Sequence, residues 1–473
     1  MNKEDICFMS ALEMREKIKT QELSSLEITE TIIERIKKIN PVINAFCTPT
    51  FEWARETAKK ADEAVKKGEK LGSLQGIPTS IKDEMPIKGI RTTFGSKIYE
   101  NYLPEEDDLC VSRLKKAGCV ILGKTNMPEF GHHGFTRNLI FGESVNPWNI
   151  EKSTGGSSGG AAAAVASGLG PLGLGADAGG SIRNPSSLCG VFGIKSTIGR
   201  VPLYPTIGLL SEIGLDQYGP IVRYVKDAAL MLDVIKGSQH ADKHSLPDQN
   251  ISYLENIENK PRKLKIGYSF NLGFVKALEP IIKEKILDSV YKFEEFGYSV
   301  EEVKIKLKKP EYAFNIIFTS WFAYDLKRHY KKWKDLMSPT LVKFVEAGSN
   351  YGVLDYFKAM DIQKKLYEEV CRYFKKYDLL ITPTMAVPAF DKGTDGPSVI
   401  NGISVPPTGF TAFTFPFNLT GHPAASIPCG WSNDGLPIGM QIIGNRFEEL
   451  LIFQVSNAFE EIAPWQAKRP IFN

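Results

Sequence analysis

Apolar residues recur every three to four positions near the start of the chain, which is the spacing of one face of an amphipathic helix. Ser24 and Glu27 form a capping-box pair ahead of this pattern. The apolar positions that follow are Ile28, Ile32, Ile36 and Ile39. We therefore predict a helix over residues 25–39, ended by Asn40-Pro41, and a second helix over residues 52–67.

From Leu74 onward the pattern changes to short β-prone runs that alternate with helical stretches. The predicted strands are 77–81, 119–122, 172–174, 264–268, 298–303, 379–382, 424–427 and 438–443. The predicted helices among them are 109–117, 278–296, 351–376 and 447–462. Strands that alternate with helices indicate an α/β fold with a large parallel or mixed sheet, flanked by helices on both faces.

One stretch interrupts this alternation. Residues 237–262 are polar, contain Pro247 and Pro261 and show no periodicity, so they predict a surface insertion or linker. We expect a single domain over residues 1–473 in which strands on both sides of this stretch complete one sheet and one pocket. Its predicted parts are a helical region 1–70, a core 71–236, the insertion 237–262 and a C-terminal α/β part 263–473.

Composition narrows the classes of partner. The 473 residues include 58 Lys plus Arg against 55 Asp plus Glu, and a net charge of +3 provides no field that would bind nucleic acid or an anionic membrane. A small molecule is the expected partner. The weakly polar run 159–176 is broken by Pro171 and contains six glycines, so it does not predict a membrane span.

The seven cysteines are scattered and odd in number, and none lies at zinc-ligand spacing. Reduced thiols fit this pattern best. The first ten residues, MNKEDICFMS, carry acidic residues where a secretory signal would have basic and then apolar ones. We therefore expect a cytoplasmic protein that binds no metal.

The most unusual segment is the glycine- and serine-rich run STGGSSGG at residues 153–160, whose small residues let backbone approach closely. It lacks the Gly-Lys-Ser/Thr ending of a phosphate loop. Residues 168–173 match G-x-G-x-x-G, but they follow a helix and precede a strand, which reverses the order required for dinucleotide binding. Neither nucleotide-binding interpretation is favoured.

A second interpretation of the same run is a nucleophile elbow. Residues 156–160 match G-x-S-x-G with Ser158 as nucleophile, and His422 would close a triad. The elbow requires a buried strand just before it. Residues 146–152 are instead polar and contain a proline, so this alternative has poor support.

A third interpretation adds a second glycine-flanked serine, Ser181, in the segment 177–183. Small residues before Ser181 leave backbone N–H groups free to converge on one point, as an oxyanion hole requires. The serine also needs a base, and six histidines provide little choice. Lys82, which follows an apolar predicted strand, is a candidate base because burial favours the neutral amine.

At these residues the sequence resembles the amidase signature family of serine hydrolases, in motifs that extend from Ser10 to the last helix. The matching motifs are GIPTSIKD at 76–83, GKTNMPEF at 123–130, NPW at 146–148, GGSSGG at 155–160, DAGGSIR at 177–183, CGVFGIK at 189–195, GHPA at 421–424 and GLPIGMQ at 435–441. Several separated motifs in one order are more specific than any single motif.

The resemblance implies a Ser-Ser-Lys triad with Ser181 as nucleophile, Ser157 as the bridging serine after a cis peptide bond, and Lys82 as base. It implies hydrolysis of a linear carboxylic acid amide through an acyl-enzyme, with no cofactor and no metal. The backbone N–H groups expected to form the oxyanion hole belong to Ala178, Gly179, Gly180 and Ser181.

Other residues are assigned supporting or binding roles. We expect Asp177, Arg183 and Ser158 to hold the catalytic loops by hydrogen bonds. In relatives the segment after Phe130 lines the acyl pocket. The resemblance therefore implies substrate contact by Phe130, Gly131, His132 and His133.

Within this family the main alternative is the glutaminase subunit of the glutamyl-tRNA(Gln) amidotransferase. That subfamily usually has Asp at the position of Pro128, Thr at the position of Ala178 and an Asp within the stretch 411–418. An arginine pair is replaced here by Lys343-Phe344, so the headgroup of glutamine has no evident clamp. A stand-alone amidase is preferred. A catalytically inactive binding module, and a homodimer built on the N-terminal helices, also stay open.

Overall fold

The computed structural model describes residues 2–205, 213–261 and 263–472, and its strands occur between Phe46 and Gly444. The strands are β1 Phe46–Pro49, β2 Pro78–Lys82, β3 Val120–Thr125, β4 Arg137–Asn138, β5 Gly142–Glu143, β6 Val145–Asn146, β7 Asn149–Ser153, β8 Leu172–Ala176, β9 Phe192–Lys195, β10 Tyr218–Val222, β11 Lys265–Tyr268, β12 Ser299–Glu302, β13 Leu379–Pro383, β14 Val399–Ile400, β15 Ile403–Ser404, β16 Ala424–Trp431 and β17 Pro437–Gly444.

Helices alternate with these strands. The α-helices are α1 Lys3–Phe8, α2 Ala11–Lys19, α3 Ser25–Ile43, α4 Phe51–Lys66, α5 Leu109–Lys116, α6 Gly159–Ala166, α7 Arg183–Cys189, α8 Val225–Ile235, α9 Tyr253–Asn256, α10 Pro280–Val290, α11 Pro310–Trp333, α12 Pro339–Ser349, α13 Val353–Phe374, α14 Pro416–Leu419 and α15 Glu449–Ile462.

Eleven of the strands form one sheet in the order β1-β3-β2-β8-β10-β9-β16-β17-β13-β11-β12. Strand β2 is parallel to β3 and β8, and β11 is parallel to β12 and β13, whereas the other pairs are antiparallel. The sheet is therefore mixed. The prediction of an α/β fold with a large mixed sheet flanked by helices is confirmed.

Helix α3 begins as its capping box predicts, because the Ser24 side chain accepts a hydrogen bond from the Glu27 N–H. The prediction that Asn40-Pro41 ends the helix was wrong. Pro41 lies in the last turn, where its missing N–H costs one hydrogen bond, and the buried Ile43 extends the apolar face beyond it. The helix ends instead at Ile43, and the next residue, Asn44, is left-handed at φ 50° and donates its N–H to the Asn40 carbonyl.

Several elements were not predicted, among them the interior strands β9 and β10 and the helices α8 and α12. Strand β9 has only four residues, and β10 contains Gly219 and Pro220, which are poor strand formers. Both strands form because their neighbours β8 and β16 provide hydrogen-bonding partners on either side. Helices α11 and α12 pack against each other, and α11 also packs on α13. Such tertiary support does not appear in local periodicity.

The polar stretch 237–262 packs on the body of the protein through buried contacts. It includes the short helix α9, whose Tyr253 is buried, and Ile257 is buried just after it. At its start the Arg113 guanidinium donates to the carbonyls of residues 235 to 238. Strands on both sides of the stretch belong to the same sheet, where β9 pairs with β16.

The helices that position the two serines are short and fully buried. Helix α6 has the sequence GGAAAAVA and packs on β2, β8 and β10, and its small side chains allow a close approach to the sheet. Helix α7 is also fully buried and packs against α6. Since Ser157 and Ser181 lie two residues before these helices, both are fixed to rigid elements.

All seven cysteines lie in the described ranges, and each is a free thiol. Within those ranges, no helix combines the length and the apolarity needed to cross a membrane. The same residues contain no group of three or more His, Cys, Asp or Glu side chains arranged to hold a metal ion.

Candidate active site

Sheet topology brings Lys82 close to the Ser181 segment. Lys82 is the last residue of β2, and the segment 177–181 follows directly after the neighbouring parallel strand β8. Because the carboxyl ends of parallel neighbours lie at the same edge of a sheet, Lys82 and Ser181 lie at one edge although 99 positions separate them in the sequence.

Lys82 and Ser157 form the central contact of the site. Lys82 Nζ donates a hydrogen bond to Ser157 Oγ at 2.7 Å, and both side chains are buried. The peptide bond between Gly156 and Ser157 is cis, as the family resemblance implied. A lysine next to a serine hydroxyl in a buried site has the arrangement that general base catalysis requires.

Glycines allow the segment 155–160 to lie against neighbouring backbone. A Cβ on Gly156 would lie 2.8 Å from the backbone atoms of Phe135, and a Cβ on Gly160 would lie 2.5 Å from Asn126 N. A side chain at either position would displace the backbone that carries Ser157. The glycine-rich composition therefore allows close packing of backbone around the serine.

We expect Gly156→Ala to lower the free energy of unfolding by about 1–3 kcal/mol, because the added methyl group meets backbone that cannot rotate away. Urea denaturation would measure the change. Gly352→Ala is the control, since its Cβ would meet only Asp355 Oδ2 at 3.8 Å. Equal urea midpoints for the two variants would contradict the close-packing argument.

The Ser181 loop is organised around the buried carboxylate of Asp177. Its oxygens accept hydrogen bonds from the N–H groups of Gly180 at 2.7 Å and Ile182 at 3.2 Å. The Ser181 carbonyl accepts the N–H of Ser158 at 3.1 Å, which joins the two serine segments. The loop is thus closed on itself and on the segment that carries Ser157.

This geometry changes the predicted set of oxyanion donors. The N–H of Gly180 donates to Asp177 Oδ1 and is therefore not free for an oxyanion. The N–H groups of Ala178, Gly179 and Ser181 have no hydrogen-bond partner among the described residues. These three are therefore the donors available to a developing oxyanion.

Asp177 and Arg183 form a fully buried ion pair. The Arg183 guanidinium contacts the Asp177 carboxylate through Nε and Nη2, each at 2.9 Å. It also donates to the Thr414 carbonyl, Gln441 Oε1 and Asn418 Oδ1. Burial alone would raise the pKa of Asp177, but the charge and hydrogen bonds of Arg183 hold it well below its usual range. These contacts join the Ser181 loop to the segments that carry Thr414, Asn418 and Gln441.

Ser181 faces a cavity of about 460 Å³. Most of its lining is apolar and aromatic. The lining residues include Gly131, His132, His133, Gly179, Asn184, Phe314, Phe318, Thr340, Lys343, Phe344, Asp395, Pro406, Pro407 and Phe410. A concave, largely apolar pocket with a few polar groups next to a nucleophile is typical of a small-molecule site.

The predicted substrate-binding residues divide into two groups. Gly131, His132 and His133 line the cavity, whereas Phe130 packs against Phe94 and Tyr99 and is not part of the lining. Burial lowers the pKa of His132 to about 4. Burial, followed by the neighbouring His132, lowers the pKa of His133 well below its ordinary value. The two imidazoles therefore line the cavity as neutral groups.

The geometry does not support the nucleophile-elbow alternative. Ser158 Oγ is buried and exchanges hydrogen bonds with the backbone N–H and carbonyl of Ala176. The preceding strand β7 is largely exposed and lies in a separate two-stranded sheet. His422 contacts Thr420 Oγ1 through Nδ1, and its buried Nε2 has no hydrogen-bond partner among the described residues. Ser158 is thus a supporting residue.

Sequence reasoning missed two acidic residues beside Lys82. Glu84 Oε2 lies 3.1 Å from Lys82 Nζ, and the charge of Lys82 also acts on the Asp216 carboxyl. Glu84 stands two positions after Lys82, so the sequence alone indicates a carboxylate near the proposed buried base. Asp216 precedes β10, a strand that was not predicted, and it carried no such signal.

The aromatic wall of the cavity was also missed. Phe314 and Phe318 lie one turn apart on α11, with ring centroids at 4.9 Å, and Phe344 of α12 lies 6.2 Å from Phe318. The helical spacing of Phe314 and Phe318 is visible in the sequence, but such spacing is equally typical of residues that face the hydrophobic core. Their exposure to the cavity depends on how α11 and α12 pack over the Ser181 loop.

Comparison with protein-family models gives a match to the amidase family over residues 27–453. Among curated proteins, an acylamidase of Rhodococcus erythropolis is 35% identical over 99% of this chain and 98% of its own length. One subunit of the glutamyl-tRNA(Gln) amidotransferase of Carboxydothermus hydrogenoformans is also 35% identical, over 98% of this chain and 99% of its own length.

Solved structures of both classes of protein are also similar to this chain. A bacterial aryl acylamidase of the amidase signature family superposes with a TM-score of 0.91 at 31% identity, covering 98% of this chain and 99% of the other. The corresponding subunit of the glutamyl-tRNA(Gln) amidotransferase of Thermotoga maritima superposes with a TM-score of 0.75, also at 31% identity, covering 99% and 97%.

Proposed function

The chain belongs to the amidase family of hydrolases, and on this premise we propose that it is a stand-alone amidase that hydrolyses a carboxylic acid amide to an acid and ammonia or an amine. The observation that carries this proposal is the buried contact between Lys82 and Ser157, beside a cavity that Ser181 lines. We infer that the substrate is a linear amide whose acyl group is apolar or aromatic.

In the proposed mechanism, neutral Lys82 takes the proton of Ser157 while the Ser157 hydroxyl takes that of Ser181. The Ser181 oxygen attacks the amide carbonyl, and the N–H groups of Ala178, Gly179 and Ser181 stabilise the oxyanion. The proton returns through Ser157 to the leaving nitrogen, which breaks the C–N bond and leaves an acyl ester on Ser181. Water then attacks this ester with the same proton relay and releases the acid.

The cavity supports an apolar acyl group. Phe314, Phe318, Phe344 and Phe410 present apolar surface to it, and both histidines of the lining are neutral. Asn184 provides a polar contact, because its Oδ1 is buried without a hydrogen-bond partner among the described residues. Such a lining would orient a carboxamide and bury its apolar part.

The same cavity argues against glutamine as the substrate. Its charged lining residues in the described part of the chain are Lys343 and Asp395, and Asp395 is already paired with Arg137 at 2.7 Å. Lys343 is exposed at the rim. A glutaminase would need a free anion and a free cation for the amino acid headgroup. The higher TM-score with the aryl acylamidase supports the same choice, whereas sequence identity is equal for both classes.

Labelling with a fluorophosphonate probe, followed by peptide mass spectrometry, tests the nucleophile without knowledge of the substrate. We expect one adduct, on Ser181. An adduct on Ser158 would overturn the assignment in favour of an elbow hydrolase. The absence of any adduct, together with no turnover of any amide, would favour a binding module.

A panel of amides then tests the substrate class. We expect turnover of anilides and of amides of aromatic or long-chain acids, with much lower turnover of glutamine, because only the former fill the apolar cavity. Faster ammonia release from glutamine than from every other amide would favour the glutaminase subunit.

A further inference from the structure

A carboxylate contacts the proposed catalytic base directly. Glu84 Oε2 lies 3.1 Å from Lys82 Nζ, the same nitrogen that donates to Ser157 Oγ at 2.7 Å. The Lys82 side chain is 1% exposed and that of Glu84 17% exposed, so water screens the pair poorly. The contact is close to the reacting hydroxyl as well, because a Cβ on Gly131 would lie 3.3 Å from Ser157 Oγ and 3.6 Å from Glu84 Oε2.

We propose that Glu84 controls the catalytic base: its carboxylate, in contact with Lys82 Nζ, stabilises the ammonium form of Lys82 beside Ser157 and so opposes the loss of the proton. This inference rests on the proposed function. Glu84 is a positioning residue in this account, since it acts through Lys82 and does not itself touch the substrate. The proton that Lys82 releases on activation passes to solvent.

Charged groups on the neighbouring elements do not replace this effect. Asp83, next along the chain, lies 3.9 Å from Lys124 of β3 and accepts hydrogen bonds from Thr93. Asp177, which follows β8, is neutralised by Arg183. Asp108 and Tyr218 also lie within the electrostatic range of Glu84. Among the described residues, Glu84 is the acidic residue within ion-pair distance of Lys82.

Asp216 adds a second, pH-dependent contribution. Burial, followed by the charge of Glu84, raises the pKa of Asp216 to about 8, and the charge of Lys82 opposes this. Asp216 is therefore harder to ionise than an ordinary Asp side chain and gains its charge only at higher pH. Its ionisation would stabilise the ammonium form of Lys82 further in the alkaline range, which extends the effect of Glu84 in the same direction.

One structural detail favours tuning by Glu84 over a purely structural role. The other carboxylate oxygen, Oε1, is buried and has no hydrogen-bond partner among the described residues. A carboxylate whose role was to tie loops together would be expected to use both oxygens in hydrogen bonds, as Asp177 does. The contact that Glu84 makes is the one with Lys82.

The test is the pH profile of the rate at which a fluorophosphonate probe labels Ser181. In the wild-type protein this rate should rise with pH as Lys82 loses its proton. Glu84→Gln, which removes the charge and keeps the size of the side chain, should move the midpoint of the profile about 1–3 pH units lower and retain a similar plateau. Glu105→Gln, at an exposed position, is the matched control and should leave the midpoint unchanged.

Glu84→Asp serves as the second variant. It keeps the charge but withdraws it from Lys82 Nζ, so we expect a midpoint between those of the wild type and Glu84→Gln. If neither variant moves the midpoint while both label Ser181, the inference is overturned and the proposed function stands. If wild-type Ser181 is not labelled at any pH, the proposed function itself fails. If Glu84→Gln does not fold, the midpoint of Glu84→Asp decides the question.

Discussion

Ser181→Ala is expected to lower amide turnover by about 10⁴–10⁶-fold and to abolish fluorophosphonate labelling, with little change in thermal stability. The reason is that the alanine removes the only atom that forms the acyl bond, while the backbone donors and the cavity stay in place. Kinetics with the best amide of the panel would measure the loss.

Lys82→Met should produce a loss of similar size, because the members of such a triad act as a unit and their effects do not add. It removes the hydrogen bond to Ser157 Oγ. The double variant, Lys82→Met with Ser181→Ala, is therefore expected to have about the same activity as the less active of the two single variants. Additive losses would contradict a shared relay.

Ser158→Ala is the matched control for Ser181→Ala. Its hydroxyl bonds to the Ala176 backbone, so its loss should cost about 1 kcal/mol of stability. Labelling at Ser181 should persist, since the Ser158 N–H that bonds the Ser181 carbonyl belongs to the backbone. Loss of labelling in Ser158→Ala with retention in Ser181→Ala would restore the elbow interpretation.

Arg183→Met is expected to give the largest loss of stability, about 3–5 kcal/mol in the free energy of unfolding. Both members of the Asp177–Arg183 pair are fully buried, and the substitution leaves the carboxylate without a countercharge. Three acceptors, on Thr414, Gln441 and Asn418, lose their donor at the same time. Urea denaturation at pH 7 would measure the change.

The pH dependence of this variant has a definite sign. In the wild type the low pKa of Asp177 contributes stability that is present above its unfolded value of about 3.9 and is lost as the pH falls below it. In Arg183→Met burial raises the pKa of Asp177, so its protonation relieves the buried charge. The difference in the free energy of unfolding between the wild type and Arg183→Met should therefore be smaller at pH 4 than at pH 7.

Two comparisons isolate the buried pair. Arg137→Met breaks the pair with Asp395, whose side chains are 32% and 59% exposed, and should cost less than about 1 kcal/mol. The double variant Asp177→Asn with Arg183→Met should recover part of the loss of Arg183→Met, because no uncompensated charge remains. A deficit for Arg183→Met no larger than that of Arg137→Met would contradict the argument.

Strong local patterns predicted much of the fold. The apolar face of α3 and the apolar runs of β2, β3 and β13 identify those elements correctly, because burial on one side of an element leaves a periodic trace in the sequence. Strands β9 and β10 left no such trace, since they are short or contain Gly and Pro. Their pairing comes from neighbours that are distant in the sequence.

The sequence by itself determined the residue types of the chemistry: two glycine-flanked serines, Ser157 and Ser181, and the lysine that follows an apolar strand. Only the tertiary structure decided how these residues are used. It places Lys82 beside Ser157, turns the N–H of Gly180 toward Asp177, and brings Glu84 to the base. The physical reason is that hydrogen bonds and charge interactions act over a few ångströms in space, and no local pattern records which distant segments the sheet joins.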